Sequence, residues 1–101
     1  MELRGNDRRA LRAMGNALKP VVVVGKEGVS PAVLHAIDDA HSREELIKLR
    51  VLDTCDLDRK EVAALLDERS ESTVVQVLGR TVLLYRRHPE SPRISLPSQP
   101  R

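Results

Sequence analysis

Lys19-Pro20-Val21-Val22-Val23-Val24-Gly25-Lys26-Glu27-Gly28-Val29-Ser30-Pro31 is the stretch that decides how this chain folds. Pro20 disfavours helical geometry in Lys19 and so closes any helix that precedes it. Four consecutive valines suit a pleated strand, and an uninterrupted apolar run predicts one buried on both faces. Gly25 breaks that strand. Ser30 before Pro31 reads as an N-cap followed by a first-turn proline, where the missing amide costs nothing. A strand, the glycine-framed loop Gly25-Lys26-Glu27-Gly28 and a helix therefore follow in order.

Upstream of this stretch, Leu11, Met14 and Leu18 recur at helical spacing and predict a first helix over about residues 6–18, with Arg8, Arg9 and Arg12 elsewhere on its surface. Downstream, Val33, Leu34, Ile37 and Ala40 form the apolar stripe of a second helix ending near residue 42. Ile47, Leu49 and Val51 then alternate with Lys48 and Arg50, the pattern of a strand with one buried face and a basic row on the other. Strand, helix, strand implies a parallel crossover. Asp58 and Glu61 stand at capping-box spacing, flanked by Leu57 and Val62 as a hydrophobic staple, and open a third helix that buries Val62, Leu65 and Leu66. Residues 73–78 and 81–86 are β-rich and joined by Gly79-Arg80, where glycine in the first loop position suits a type II′ hairpin. The expected fold is α/β: one compact domain in the order αβαβαββ, a four-stranded mixed sheet packed with helices.

Composition narrows the function. A chain of 101 residues, 41% hydrophobic and 32% charged, has room for one domain and the composition to fold it. Tyr85 is the single aromatic residue, so the core rests on aliphatic side chains and base stacking on rings is not available. Cys55 stands alone, which excludes an internal disulfide and a cysteine-based zinc cluster and fits a reducing cytoplasm. The start of the chain has no apolar signal core, and residues 21–24 are far too short to span a bilayer, so neither secretion nor membrane insertion is expected. The net charge of +2 hides a segregation: both ends are basic and residues 27–78 are acidic. If the fold brings the basic ends together they create an anion-attracting face.

Chemistry points away from catalysis. His35 and His41 lie six residues apart on one helix, not at the i, i+4 spacing of helical metal ligands, and Asp38-Asp39 with Glu44-Glu45 lacks the alternation of a calcium loop. They read as a solvated acidic face; no cofactor, metal or small-molecule substrate is expected. The glycine loop is the stronger candidate. Two glycines permit left-handed backbone and close approach, and amides at a helix start favour an anion, as in loops that clamp nucleotide backbones. Glu27 opposes such binding, and a plain strand-to-helix turn explains the glycines equally well. Arg9, Arg12, Lys19, Lys48, Arg50, Arg80 and Arg86 are the candidate support, each an ordinary solvated charge unless the fold makes them converge.

Four blocks in order resemble the CRM domain in its single-domain, YhbY-like bacterial form. They are Leu18-Lys19-Pro20-Val21-Val22, Gly25-Lys26-Glu27-Gly28-Val29, Glu45-Leu46-Ile47-Lys48-Leu49-Arg50-Val51 and Gln76-Val77-Leu78-Gly79-Arg80-Thr81-Val82-Leu83-Leu84-Tyr85-Arg86; Ile94-Ser95-Leu96-Pro97 is similar to the family's ending. The resemblance implies a domain over residues 1–97, a disordered tail over 98–101, and a fold similar to the C-terminal domain of bacterial translation initiation factor three. It also implies RNA contact by Gly25, Lys26, Glu27, Gly28 and nearby basic residues in a protein that binds ribosomal RNA and assists large-subunit assembly; the single cysteine predicts a cytoplasmic protein, and the lack of an exposed apolar stripe a monomer. Glu71-Ser72-Thr73 departs from the family's glycine-containing turn before the third strand. The other reading is a protein-interaction module whose acidic middle, Asp38, Asp39, Glu44 and Glu45, docks a basic ribosomal protein.

Overall fold

A computed structural model describes residues 2–99. Its elements are α1 (Gly5–Gly15), β1 (Pro20–Val24), α2 (Pro31–His41), β2 (Leu46–Val51), α3 (Arg59–Arg69), β3 (Thr73–Leu78) and β4 (Thr81–Tyr85), the expected αβαβαββ order. The strands form one sheet in the order β1-β2-β4-β3. β1 runs parallel to β2, while β4 is antiparallel to both β2 and β3.

The helix starts follow their caps. Ser30 accepts the Val33 amide through Oγ at 3.2 Å, and Asp58 Oδ1 accepts the Glu61 amide at 2.8 Å. α1 starts differently: Asp7, in its first turn, reaches back to accept the Arg4 amide at 3.0 Å. In the β3–β4 hairpin Gly79 takes φ +58°, and no non-glycine among the described residues has positive φ. Arg80 at the second loop position therefore rules out a type I′ turn, which needs positive φ at both positions, and type II′ stands.

The sheet separates two cores. On one face α2 and α3 cover Val22, Val24, Ile47, Leu49, Val51, Val82 and Leu84. On the other, Leu11 of α1 packs with Leu46, Val75, Leu83 and Tyr85, joined by Leu3 and by Leu96 from the C-terminal segment. Leu96 is 1% exposed, so the C-terminal segment is pinned to the domain. Order extends further: the Ser98 amide and hydroxyl both donate to Asp7, and Leu96 pairs with Gln99. The part of the expected 98–101 tail that is described is thus held to the domain; residues 100 and 101 lie outside the described residues.

Two expectations about the first third of the chain need correction. The first helix ends at Gly15 rather than near residue 18, with Asn16 as its C-cap, and Gly15 sits close to β4: a Cβ there would come within 2.7 Å of Leu83 Cδ2. Met14 is consequently 39% exposed and belongs to no buried stripe. β1 is not buried on both faces either. It is an edge strand whose Val22 and Val24 face α2, whereas Val21 and Val23 are 60% and 50% exposed, since α1 packs on β2 and β3 and leaves β1 uncovered.

Candidate nucleic-acid interface

The glycine loop leaves β1 at the end of the sheet where β2 also ends. It is a tight turn: the Gly28 amide donates to the Gly25 carbonyl at 3.0 Å, with Lys26 and Glu27 exposed at its apex. Among the described residues, the Lys26 and Glu27 amides have no protein acceptor. The two glycines are not equivalent. Gly28 is buried at φ +66°, a conformation costly for any residue with a side chain. Gly25 has no such φ, and a Cβ there would meet Thr54 and Leu52 at ordinary contact distances of 3.5 and 3.6 Å. The turn therefore uses Gly28 for its shape and presents Lys26 and Glu27 outward.

The candidate cations divide between two ends and one face. Lys48 and Arg50 stand on the sheet face opposite Ile47, Leu49 and Val51, Lys48 half-buried and Arg50 exposed. Arg50 pairs across the sheet with Val23 on one side and Thr81 on the other, one row from the loop. Arg80, at the hairpin tip on the same end, forms an exposed ion pair with Asp53. Lys19 is exposed at the opposite end of β1, about 16 Å from the loop at 3.3 Å per strand residue. Arg9 and Arg12 are exposed on α1.

Arg86 does not join them. It follows the end of β4 that pairs with Leu46, away from the loop, and its guanidinium binds Asp38 at 2.8 Å and the Glu71 carbonyl at 3.1 Å. Arg8, beside the candidates on α1, is also committed: it donates to the Val74 carbonyl at 2.9 Å, where a bulge in β3 disrupts the ladder. Nothing in the sequence distinguishes Arg8 and Arg86 from free surface arginines, because the groups they bind are brought close only by the fold.

Of the four acidic candidates Glu45 alone is buried, while Asp38, Asp39 and Glu44 are exposed. Glu45 is buried, and its carboxylate accepts the amides of His88 at 2.9 Å, Arg93 at 2.6 Å and Ile94 at 2.8 Å. Burial pushes that carboxyl up, but the three amides outweigh it and hold the group below its ordinary value. Asp38 pairs with Arg86 and Asp39 with Arg43.

His41 is buried beside this segment. Burial lowers its pKa to about 4, so the ring is neutral at neutral pH. Nδ1 lies 3.0 Å from the Glu44 carbonyl, which only accepts, so Nδ1 carries the proton and Nε2 accepts from the Ser72 hydroxyl at 2.9 Å. Ser72, in the turn before β3, thus has a structural use. Among the described residues no group of three or more His, Cys, Asp or Glu could hold a metal ion, and no helix is long and apolar enough to cross a membrane.

A small α/β module with an exposed turn at one end of a partly uncovered, basic sheet face is the class these features define. Residues 3–86 match the CRS1/YhbY (CRM) domain model, and the chain belongs to that family. It is 39% identical over 95 residues to the probable RNA-binding protein YqeI of Bacillus subtilis, covering 94% of this chain and 99% of that one. A probable RNA-binding protein of Pseudomonas aeruginosa is 33% identical over 93 residues, covering 89% and 86%. The solution structure of the hypothetical protein SAV1595 from Staphylococcus aureus, described as a candidate RNA-binding protein, superposes with a TM-score of 0.80 at 36% identity, over 95% of this chain and 100% of that one.

Proposed function

We propose that the protein is a non-catalytic RNA-binding factor that grips the phosphate backbone of ribosomal RNA with the 25–28 turn and assists assembly of the large ribosomal subunit. The observation that carries this reading is the turn itself: Lys26 and two unpartnered amides stand exposed at the end of a sheet face bearing Lys48 and Arg50. An anion satisfies those amides, and Lys26 supplies the charge. Membership in a family whose relatives are named RNA-binding supports the RNA-binding part of this reading. Phosphate contacts carry no sequence information, so this grip is directed at shape and backbone. Lys19, Arg9 and Arg12 add long-range attraction; Arg80 contributes once released from its exposed pair with Asp53.

Docking of a basic protein through the acidic middle has weaker support, because Glu45 is buried and Asp38 and Asp39 are already paired. The test is sedimentation of cell extracts containing tagged wild-type protein or Lys26→Glu. Wild-type protein travelling with large-subunit precursors and the variant remaining at the top of the gradient is the expected result. Equal migration of the two proteins contradicts the role given to the turn.

A further inference from the structure

The uncovered part of the sheet is more than a by-product of where α1 lies. Val23, Arg50, Thr81 and Leu78 are successive cross-strand partners and form one row over all four strands. Val23 and Leu78 are 50% and 61% exposed, and Val21, at the register shift of the same edge strand, is 60% exposed. Lys48 stands in the next row of this face, against Pro20 of β1. This face therefore presents aliphatic surface and cations together, with Val21 and Val23 on the β1 edge and Leu78 on the β3 edge. Among the described residues neither Lys48 nor Arg50 has a carboxylate within ion-pair distance, although Arg43, Arg80 and Arg86 all do.

The other flank of the turn is of mixed charge. Leu52 and Thr54 lie against Gly25 and Leu57 against Gly28, at the side of a groove of about 450 Å³ that carries Asp53, Asp56 and Asp58 together with Arg59 and Arg80. The cations of that groove stand among three carboxylates, whereas Lys48 and Arg50 on the sheet face have no carboxylate in ion-pair distance among the described residues, which favours a polyanion over the sheet. Paired RNA keeps its bases stacked inside and offers the sheet only backbone and groove edges; unpaired RNA offers base faces as well.

We infer that the open sheet face, with Val21 and Val23 as an apolar platform and Lys48 and Arg50 as its cations, receives the bases of an unpaired RNA segment whose backbone is held at the 25–28 turn. The inference rests on the RNA-binding reading and adds the substrate class: single-stranded segments, loops or bulges in preference to continuous duplex. Aliphatic packing against base faces takes the place of the ring stacking that this chain lacks.

The test compares binding of an unstructured RNA of about twelve nucleotides, a length within the span that one small single-strand-binding domain covers, with binding of the same sequence annealed to its complement. It uses wild-type protein, the double variant Val21→Thr/Val23→Thr, and Val23→Ala alone. Threonine keeps the β-branch that suits an edge strand and removes apolar surface; the alanine variant guards against a folding defect in the double variant. Wild-type protein should prefer the single strand, and the double variant should lose about five- to tenfold of that affinity with the duplex affinity unchanged. Val23→Ala should lose part of the same preference. Equal binding of both RNAs by wild-type protein, or unchanged single-strand affinity in the folded variants, overturns the platform but leaves the turn's grip intact. Absence of any RNA binding by wild-type protein overturns the underlying reading as well. Loss of ribosomal association with free-RNA affinity preserved assigns the face to a protein partner and also overturns the inference.

Discussion

Asp7 and Ser98, ninety-one residues apart, are joined by two hydrogen bonds: Asp7 Oδ1 accepts the Ser98 amide at 3.0 Å and Oδ2 accepts its hydroxyl. The same carboxylate holds the Arg4 amide at the start of α1, so one buried side chain ties the first helix to the end of the chain. Glu45 does the same for residues 88–94, and Leu96 between these clamps is 1% exposed. The C-terminal segment is therefore part of the second core. Leu96→Ala should destabilise the domain by about 2–4 kcal/mol, the range for truncating a buried leucine, read from urea denaturation. A change under about 0.5 kcal/mol, the size of an ordinary surface substitution, would show that the segment is an appendage.

Acid should unfold the protein in two stages. His41 has a folded pKa of about 4 against an ordinary 6.5, so the unfolded chain takes up this proton first, and stability falls as pH drops from 6.5 towards 4. The full effect is on the order of 3 kcal/mol. Asp7, lowered chiefly by the Ser98 hydroxyl, and Glu45, lowered by its amides against burial, stabilise fully above their unfolded values of 3.8 and 4.5. Their contribution is lost as pH falls through their lower folded values. Denaturation midpoints at pH 7, 5 and 3 should decline throughout, and His41→Gln should flatten only the upper stage.

Tyr85 should tolerate loss of its hydroxyl. The ring is 1% exposed in the α1-side core, yet its OH finds no hydrogen-bond partner among the described residues. Tyr85→Phe removes a buried polar group with nothing to orphan, so stability should be unchanged or rise by about 1 kcal/mol. A loss above about 1 kcal/mol, the net worth of a typical hydrogen bond, would reveal a partner for that hydroxyl.

The two loop glycines should separate. Gly28→Ala forces a side chain into positive φ and should cost about 1–2 kcal/mol. Gly25→Ala meets only ordinary contacts and should stay within about 0.5 kcal/mol of wild type. Thermal melting of the two variants distinguishes a turn shaped by Gly28 from one that needs both.

The element order, the parallel crossover, the hairpin and two of the three helix starts are legible in the sequence because each rests on local chemistry: Ser30-Pro31, Asp58 with Glu61, Gly79, and the alternation of residues 46–51. Residues 21–24 mislead because four valines in a row carry no period, and only the placement of α1 decides which of them face water. The close packing at the end of α1 is hidden for a related reason: Gly15 lies against Leu83, sixty-eight positions away in the sequence. At the candidate site, Lys26, Lys48 and Arg50 are legible from their positions on a loop and an alternating strand. Arg86 is not separable from them, since its partners Asp38 and Glu71 meet it only in the folded chain.

The central claim, a phosphate grip at the 25–28 turn, is tested most directly by titrating purified wild-type protein and Lys26→Ala with large-subunit ribosomal RNA fragments over a series of salt concentrations. Log affinity should fall with log salt with a slope of roughly −2 to −4, as about three to six phosphate contacts produce, and the variant should flatten that slope by about one contact. Salt-insensitive binding, or a slope unchanged in Lys26→Ala, would contradict the account.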